Sequence, residues 1–241
     1  MPMKHSLHNI LVVARNTYRE TVRDKILYVI VAFAAVYSVF AWFLSTIALG
    51  ENLHVMRSLG LAGIYFFGLL VTIFLGTSLV YKEIERRTLY FLLSKPISHL
   101  EVVVGKFLGL LSSVTVSVLG MTAVYLALVA YTGGGFDKLA LVAVLFELFE
   151  LAVVVAMSVF FSTYARPLAG VVYTVLLVYI GHSLHLLLDL VHKSGPLMQG
   201  FMHGVYYVMP NLEKFNVRDA ALYGFHPNMA ATAFAALYAL V

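Results

Sequence analysis

The chain is 241 residues long, 61% hydrophobic and only 12% charged, with a net charge of +4 and no cysteine. Soluble domains carry about 25% charged residues, so this chain lacks the polar surface to face water on all sides, and lipid must cover most of its apolar area. The absent thiols exclude a disulfide framework, a thiolate metal site and a cysteine nucleophile.

Residues 1–25 form the first expected element. Leu7, Ile10, Leu11, Ala14, Tyr18 and Val22 recur at helical spacing, while Asn9, Arg15, Asn16, Arg19 and Arg23 fall mainly elsewhere on the wheel. This pattern predicts an amphipathic helix in the headgroup region, its arginines near anionic lipid. No cleavable signal peptide is expected, because the first apolar run begins only after Lys25 and is too long for a signal core.

Crossing the hydrocarbon core takes about 20 apolar residues. The runs Ile26–Leu49, Leu59–Val80, Phe107–Tyr131, Leu139–Phe161 and Leu168–Leu188 meet that length, the fourth despite Glu147 and Glu150. A sixth run, Met229–Val241, has 13 residues and is expected to be a truncated last helix. The expectation is an all-α polytopic transmembrane bundle of six spans and one domain over 1–241. Eleven Lys and Arg residues fall on the side of the N-terminus and five on the other, so the N-terminus is placed in the cytoplasm and the chain in the cell membrane. Basic residues confined to such short loops form no face or stripe, which excludes nucleic acid as a partner.

The connection between the second and third spans, residues 81–106, is charged from Lys82 to Arg87 and apolar from Leu89 to Leu93. Pro96 cannot continue a preceding helix and disfavours helix at Lys95. Ser98 with Glu101 three residues later reads as a capping box, so the next helix restarts there. A short helix, a break and a long helix entering the bilayer follow from that order.

The stretch Glu85-Arg-Arg-Thr88-Leu89, Leu92-Leu93-Ser-Lys-Pro96-Ile-Ser98, Glu101 and Gly105-Lys106 resembles the signature loop of type-2 ABC exporter permeases. Ala14–Tyr28 is similar to the helix leading into the first span of that family, and Pro210-Asn-Leu-Glu-Lys-Phe-Asn216 to a segment before its last span. Arg87 departs from the pattern, since members often carry Gly before the Thr. The resemblance implies two paired permeases, identical or paralogous, each docked to a cytoplasmic ABC ATPase subunit through residues 81–106. Glu85, Arg86, Thr88, Leu89, Leu92, Leu93 and Pro96 are then the coupling residues. ATP and Mg would belong to that partner: the chain contains no G-x-x-x-x-G-K-[ST] phosphate loop, and Gly133-Gly134-Gly135 reads as a short outer turn. No cofactor is expected on this chain, which is expected not to be an enzyme.

In the third span Gly105, Gly109, Ser113 and Ser117 repeat every four residues, a face on which helix backbones approach closely. Packing within the chain is favoured over packing on a second permease. Glu147 and Glu150 are costly inside a bilayer, where carboxylates face the bundle interior or a watery path. His182, His185 and Asp189 share a face of the next helix. Glu147 and His182 lie at a similar depth of roughly 12 Å from the outer ends, so these two are expected to meet. Glu147, Glu150, His182 and His185 are a structural cluster or a translocation path; a metal site lacks any supporting motif. The outer segment, residues 191–228, holds an apolar stretch Leu197–Val208 between Pro196 and Pro210, expected to dip into the interface. The resemblance gives such a helix the role of an outer gate. Two other classes compete with the permease: a proton-coupled secondary transporter using Glu147, and an intramembrane metal-dependent hydrolase using Glu147, Glu150, His182 and His185.

Overall fold

The computed structural model describes residues 2–22, 27–47, 52–85, 98–135, 137–191 and 209–216, with isolated positions 204 and 206. Among these, six helices follow in order: α1 (Pro2–Thr21), α2 (Leu27–Ile47), α3 (Asn52–Glu85), α4 (His99–Tyr131), α5 (Lys138–Tyr164) and α6 (Pro167–Val191). A 3-10 turn, Leu212–Phe215, comes last. Four stretches are long and apolar enough to cross a membrane: Leu53–Ser78, His99–Tyr131, Lys138–Tyr164 and Pro167–Leu184; Tyr28–Phe43 of α2 is apolar but shorter. The all-helical membrane bundle expected from the sequence is therefore present. The sixth run, Met229–Val241, lies outside the described residues.

The helices overrun the apolar runs because polar residues at the ends cap and extend them. The Ser98 hydroxyl accepts from the Glu101 amide and the Glu101 carboxylate accepts from the Ser98 amide, both at 3.2 Å. That is the capping box expected from the sequence, and it starts α4 eight residues before the apolar run. Asp137 caps α5 by accepting from the Ala140 amide at 3.1 Å, and also meets Arg57 Nε of α3 at 3.3 Å. Between α4 and α5 the chain reverses through Gly133, whose φ of +81° suits a residue without Cβ.

α3 is the hub and packs on all four of the other apolar helices. Its larger core is shared with α2, α4 and α5 and includes Phe33, Ile64, Leu110, Met121, Tyr125 and Leu151. A smaller core joins Ile73 of α3, Phe146 and Val154 of α5, Val178 of α6, and Leu212 and Phe215 of the turn.

α1 packs chiefly along α4 and runs in the same direction. Asn9 reaches Glu101, a Cβ on Gly105 would lie 2.7 Å from that of Val13, and one on Gly109 would lie 2.6 Å from the Ala14 carbonyl oxygen. The two glycines of the small-residue stripe thus pack within the chain, and their partner is α1. The face that α1 buries is Val13, Thr17 and Thr21, whereas Leu7 and Leu11 stay 60% and 65% exposed. The apolar face read from the sequence therefore adjoins the packed one. It is left to cover with lipid, and Arg15 and Arg19 project beyond it. At 33 residues α4 measures roughly 50 Å, longer than the ~30 Å hydrocarbon core.

Candidate functional site

Three polar side chains from three helices converge inside the bundle. Glu150 of α5 is 2% exposed. The Tyr65 hydroxyl of α3 donates to its Oε1 at 2.6 Å, and His182 Nε2 of α6 lies 3.2 Å from the same oxygen. Tyr65 and His182 are themselves 3.4 Å apart, with their rings edge to face. The His182 Nδ1 lies 3.0 Å from the Val178 carbonyl oxygen. A carbonyl only accepts, so Nδ1 carries hydrogen, and the contact between Nε2 and Oε1 needs one more proton to be attractive. Either an imidazolium faces a carboxylate or a carboxylic acid faces a neutral imidazole. The triad therefore holds one proton between α5 and α6, with Tyr65 fixing the oxygen that shares it.

Each member is positioned by its helix. Phe146 and Val154 flank Glu150 at one helical turn on either side, and Val178 stands one turn before His182; all three belong to the smaller core. Apolar packing buries Glu150 and raises the cost of leaving its carboxyl unsatisfied, while His182 keeps 23% of its side chain exposed.

The geometry corrects one expectation from depth counting. Glu150, not Glu147, is the carboxylate on His182. Glu147, 3% exposed, turns towards α3, where its Oε1 lies 3.5 Å from the position a Cβ on Gly68 would take. The two carboxylates are three residues apart and so point into neighbouring grooves, one on each side of the α3 contact. The side chain of His185 lies outside the described residues. Among the described residues no three His, Cys, Asp or Glu side chains converge as metal ligands do. Tyr65 escaped the sequence reading, since between Ile64 and Phe66 it looks like one more aromatic; the only cue was a hydroxyl in a span, which needs a partner.

The 3-10 turn closes over the same corner. Leu212 is fully buried and Phe215 nearly so. A Cβ on Gly181 would come 2.9 Å from both Leu212 Cγ and the Pro210 carbonyl oxygen, so glycine there admits the turn against α6, one residue before His182. The expected helix over Leu197–Val208 lies almost wholly outside the described residues.

At the other end, the side chain of Glu85 and residues Arg86, Thr88, Leu89, Leu92, Leu93 and Pro96 lie outside the described residues. Their flanks are defined: α3 runs to Glu85, and α4 begins at the Ser98 cap. Asn9 Nδ2 donates to Glu101 Oε2 at 3.1 Å, tying α1 to that cap.

None of the curated proteins matches this chain. Residues 11–225, spanning the second half of α1, the 81–106 connection, the buried triad and the turn, match the family of ABC-2 family transporter proteins, and the chain belongs to that family of membrane permease subunits.

Proposed function

We propose that this chain is the permease half of an ABC exporter, lying in the cell membrane with its N-terminus in the cytoplasm. It pairs with a second permease, identical or paralogous, and each docks a separate ATPase that binds ATP and Mg. The observation that carries this reading is the family match across residues 11–225, which takes in the whole 81–106 connection. The local structure supports it. Two long helices, α3 and α4, are joined over residues 86–97, and the second is capped by Ser98 and braced by Asn9. A push on that connection is delivered to a stiff helix pair, α1 and α4, rather than dissipated in a loose terminus. Glu85, Arg86 and Thr88 set orientation, Leu89, Leu92 and Leu93 supply the desolvated anchor, and Pro96 ends the short helix, since a few buried side chains dominate most interfaces. Glu147, Glu150 and His182, with His185 on the same α6 face, line the cargo path. The cargo class extends to lipids, polysaccharides, peptides, drugs and copper-linked maturation.

The test is co-purification with the ATPase from membranes together with transport per ATP hydrolysed. Replacing Leu92 and Leu93 by Asp releases the ATPase while the bundle stays folded in detergent. ATP hydrolysis by this polypeptide alone, or retention of the ATPase and normal transport in the double variant, refutes the docking assignment. Uphill transport driven by a pH gradient with no ATPase present favours the proton-coupled alternative.

A further inference from the structure

We propose that Tyr65, Glu150 and His182 form a proton-binding latch that holds the Leu212–Phe215 turn against the bundle. Three features converge on it. The triad needs one proton between Nε2 and Oε1, because Nδ1–H is committed to the Val178 carbonyl and the Tyr65 hydroxyl already donates to Oε1. The turn packs directly beside it: Leu212 lies on Gly181, next to His182, and shares a core with Val178, Phe146 and Val154, the residues one turn from the triad's members. Tyr65 joins the hub helix α3 to both, so the polar contact ties together the three helices that bound this corner.

Releasing the shared proton breaks its bond to Nε2 or Oε1, leaves that bond's electron pair on the same atom and passes the proton to water; either way a neutral imidazole and a carboxylate remain. A lone pair then faces a buried carboxylate oxygen across 3.2 Å, with Tyr65 its remaining donor in the triad. The other charged groups make that state worse. Glu213 of the turn bears on His182 with the same negative sign, and Glu147, one turn away on α5, turns towards α3. Lys214, the cation of the turn, is on its exposed side. Parting α6 from α5 relieves the repulsion, and the turn seated on α6 loosens with it. Raising pH therefore opens this corner and lowering it to the one-proton state closes it.

The chain has no cysteine, so Leu212→Cys introduces a single thiol beneath the turn. Its maleimide labelling rate in lipid nanodiscs, corrected for thiolate fraction with Tyr131→Cys at an 89% exposed position, measures how often the turn lifts. Going from mildly acidic to mildly alkaline buffer is expected to raise the corrected rate roughly tenfold, equivalent to about 1.4 kcal/mol. His182→Gln and Glu150→Gln, each introducing a neutral hydrogen-bonding group, are expected to give flat profiles. A flat profile in the parent, or an unchanged one in either Gln variant, overturns the proposal. Should these variants fail to fold, deuterium exchange over residues 209–216 of the unmodified chain decides. Opening on the alkaline side, beyond the intrinsic base-catalysed increase, supports the latch; its absence overturns it. Neither readout involves nucleotide, ATPase or cargo, so a failure of the permease reading leaves this result standing.

Discussion

The seam between α1 and α4 gives the sharpest mechanical expectation. Gly109→Ala adds a Cβ 2.6 Å from the Ala14 carbonyl oxygen and 2.6 Å from Thr17 Cβ. The first of these is backbone and cannot rotate away, so α1 must withdraw by about 0.8 Å to restore an ordinary contact of 3.4 Å. A gap of that size forfeits a quarter to a half of the dispersion attraction along the seam, and overpacking costs typically 1–3 kcal/mol. At about 2 kcal/mol, the population with α1 detached rises roughly 30-fold. A thiol at Val13→Cys, which is buried in the seam, reports that population through its labelling rate in an otherwise cysteine-free chain. Gly109→Ala should accelerate labelling by an order of magnitude or more, and Gly105→Ala, with Val13 and the Ile10 carbonyl in its way, should act similarly. Gly135→Ala, with nothing within 4 Å, serves as the control. Unchanged labelling in both seam variants would refute the view that α1 and α4 move as one body.

Glu150→Ala removes the acceptor of the Tyr65 hydroxyl and the partner of His182 Nε2, so it should lower stability by about 1–3 kcal/mol and depress the thermal midpoint in detergent more than Tyr65→Phe does; equal midpoints would count against the triad. For Glu147, Gln should leave assembly intact while altering transport or its pH dependence, and Lys should impair insertion by about 3 kcal/mol on translocon scales. Transport unaffected by Glu147→Ala at every pH removes this residue from the path. Asp137→Asn keeps the cap on Ala140 and loses the charge of the partly exposed pair with Arg57, so it should cost under about 1 kcal/mol, whereas Asp137→Ala loses the cap as well, for about 1 kcal/mol more. Equal unfolding midpoints for these two would refute the capping role.

Composition and run length alone determined that this chain is a helical membrane protein, because covering so much apolar surface with lipid leaves few alternatives. The family was legible in the 81–106 signature and in the segments around it, which carry their information in residue order. Local grammar was legible as well: Ser98 and Glu101 cap α4 because their hydrogen bonds close within three residues, and the glycine run turns the chain at Gly133, whose positive φ suits glycine. Pairings between helices were not. Depth counting put Glu147 opposite His182, yet helix rotation decides which of two carboxylates three residues apart faces a neighbour, and rotation is set by the fit of Gly68, Leu151 and Val118 between α3, α4 and α5. The small-residue stripe announced a close approach but not its partner. α1 fills that role because a Val-Thr-Thr face at the same four-residue spacing matches the glycines. Tyr65 and the placement of Leu212 on Gly181 were invisible for the same reason: a sequence states which side chains need partners, and only packing in three dimensions decides which ones they meet.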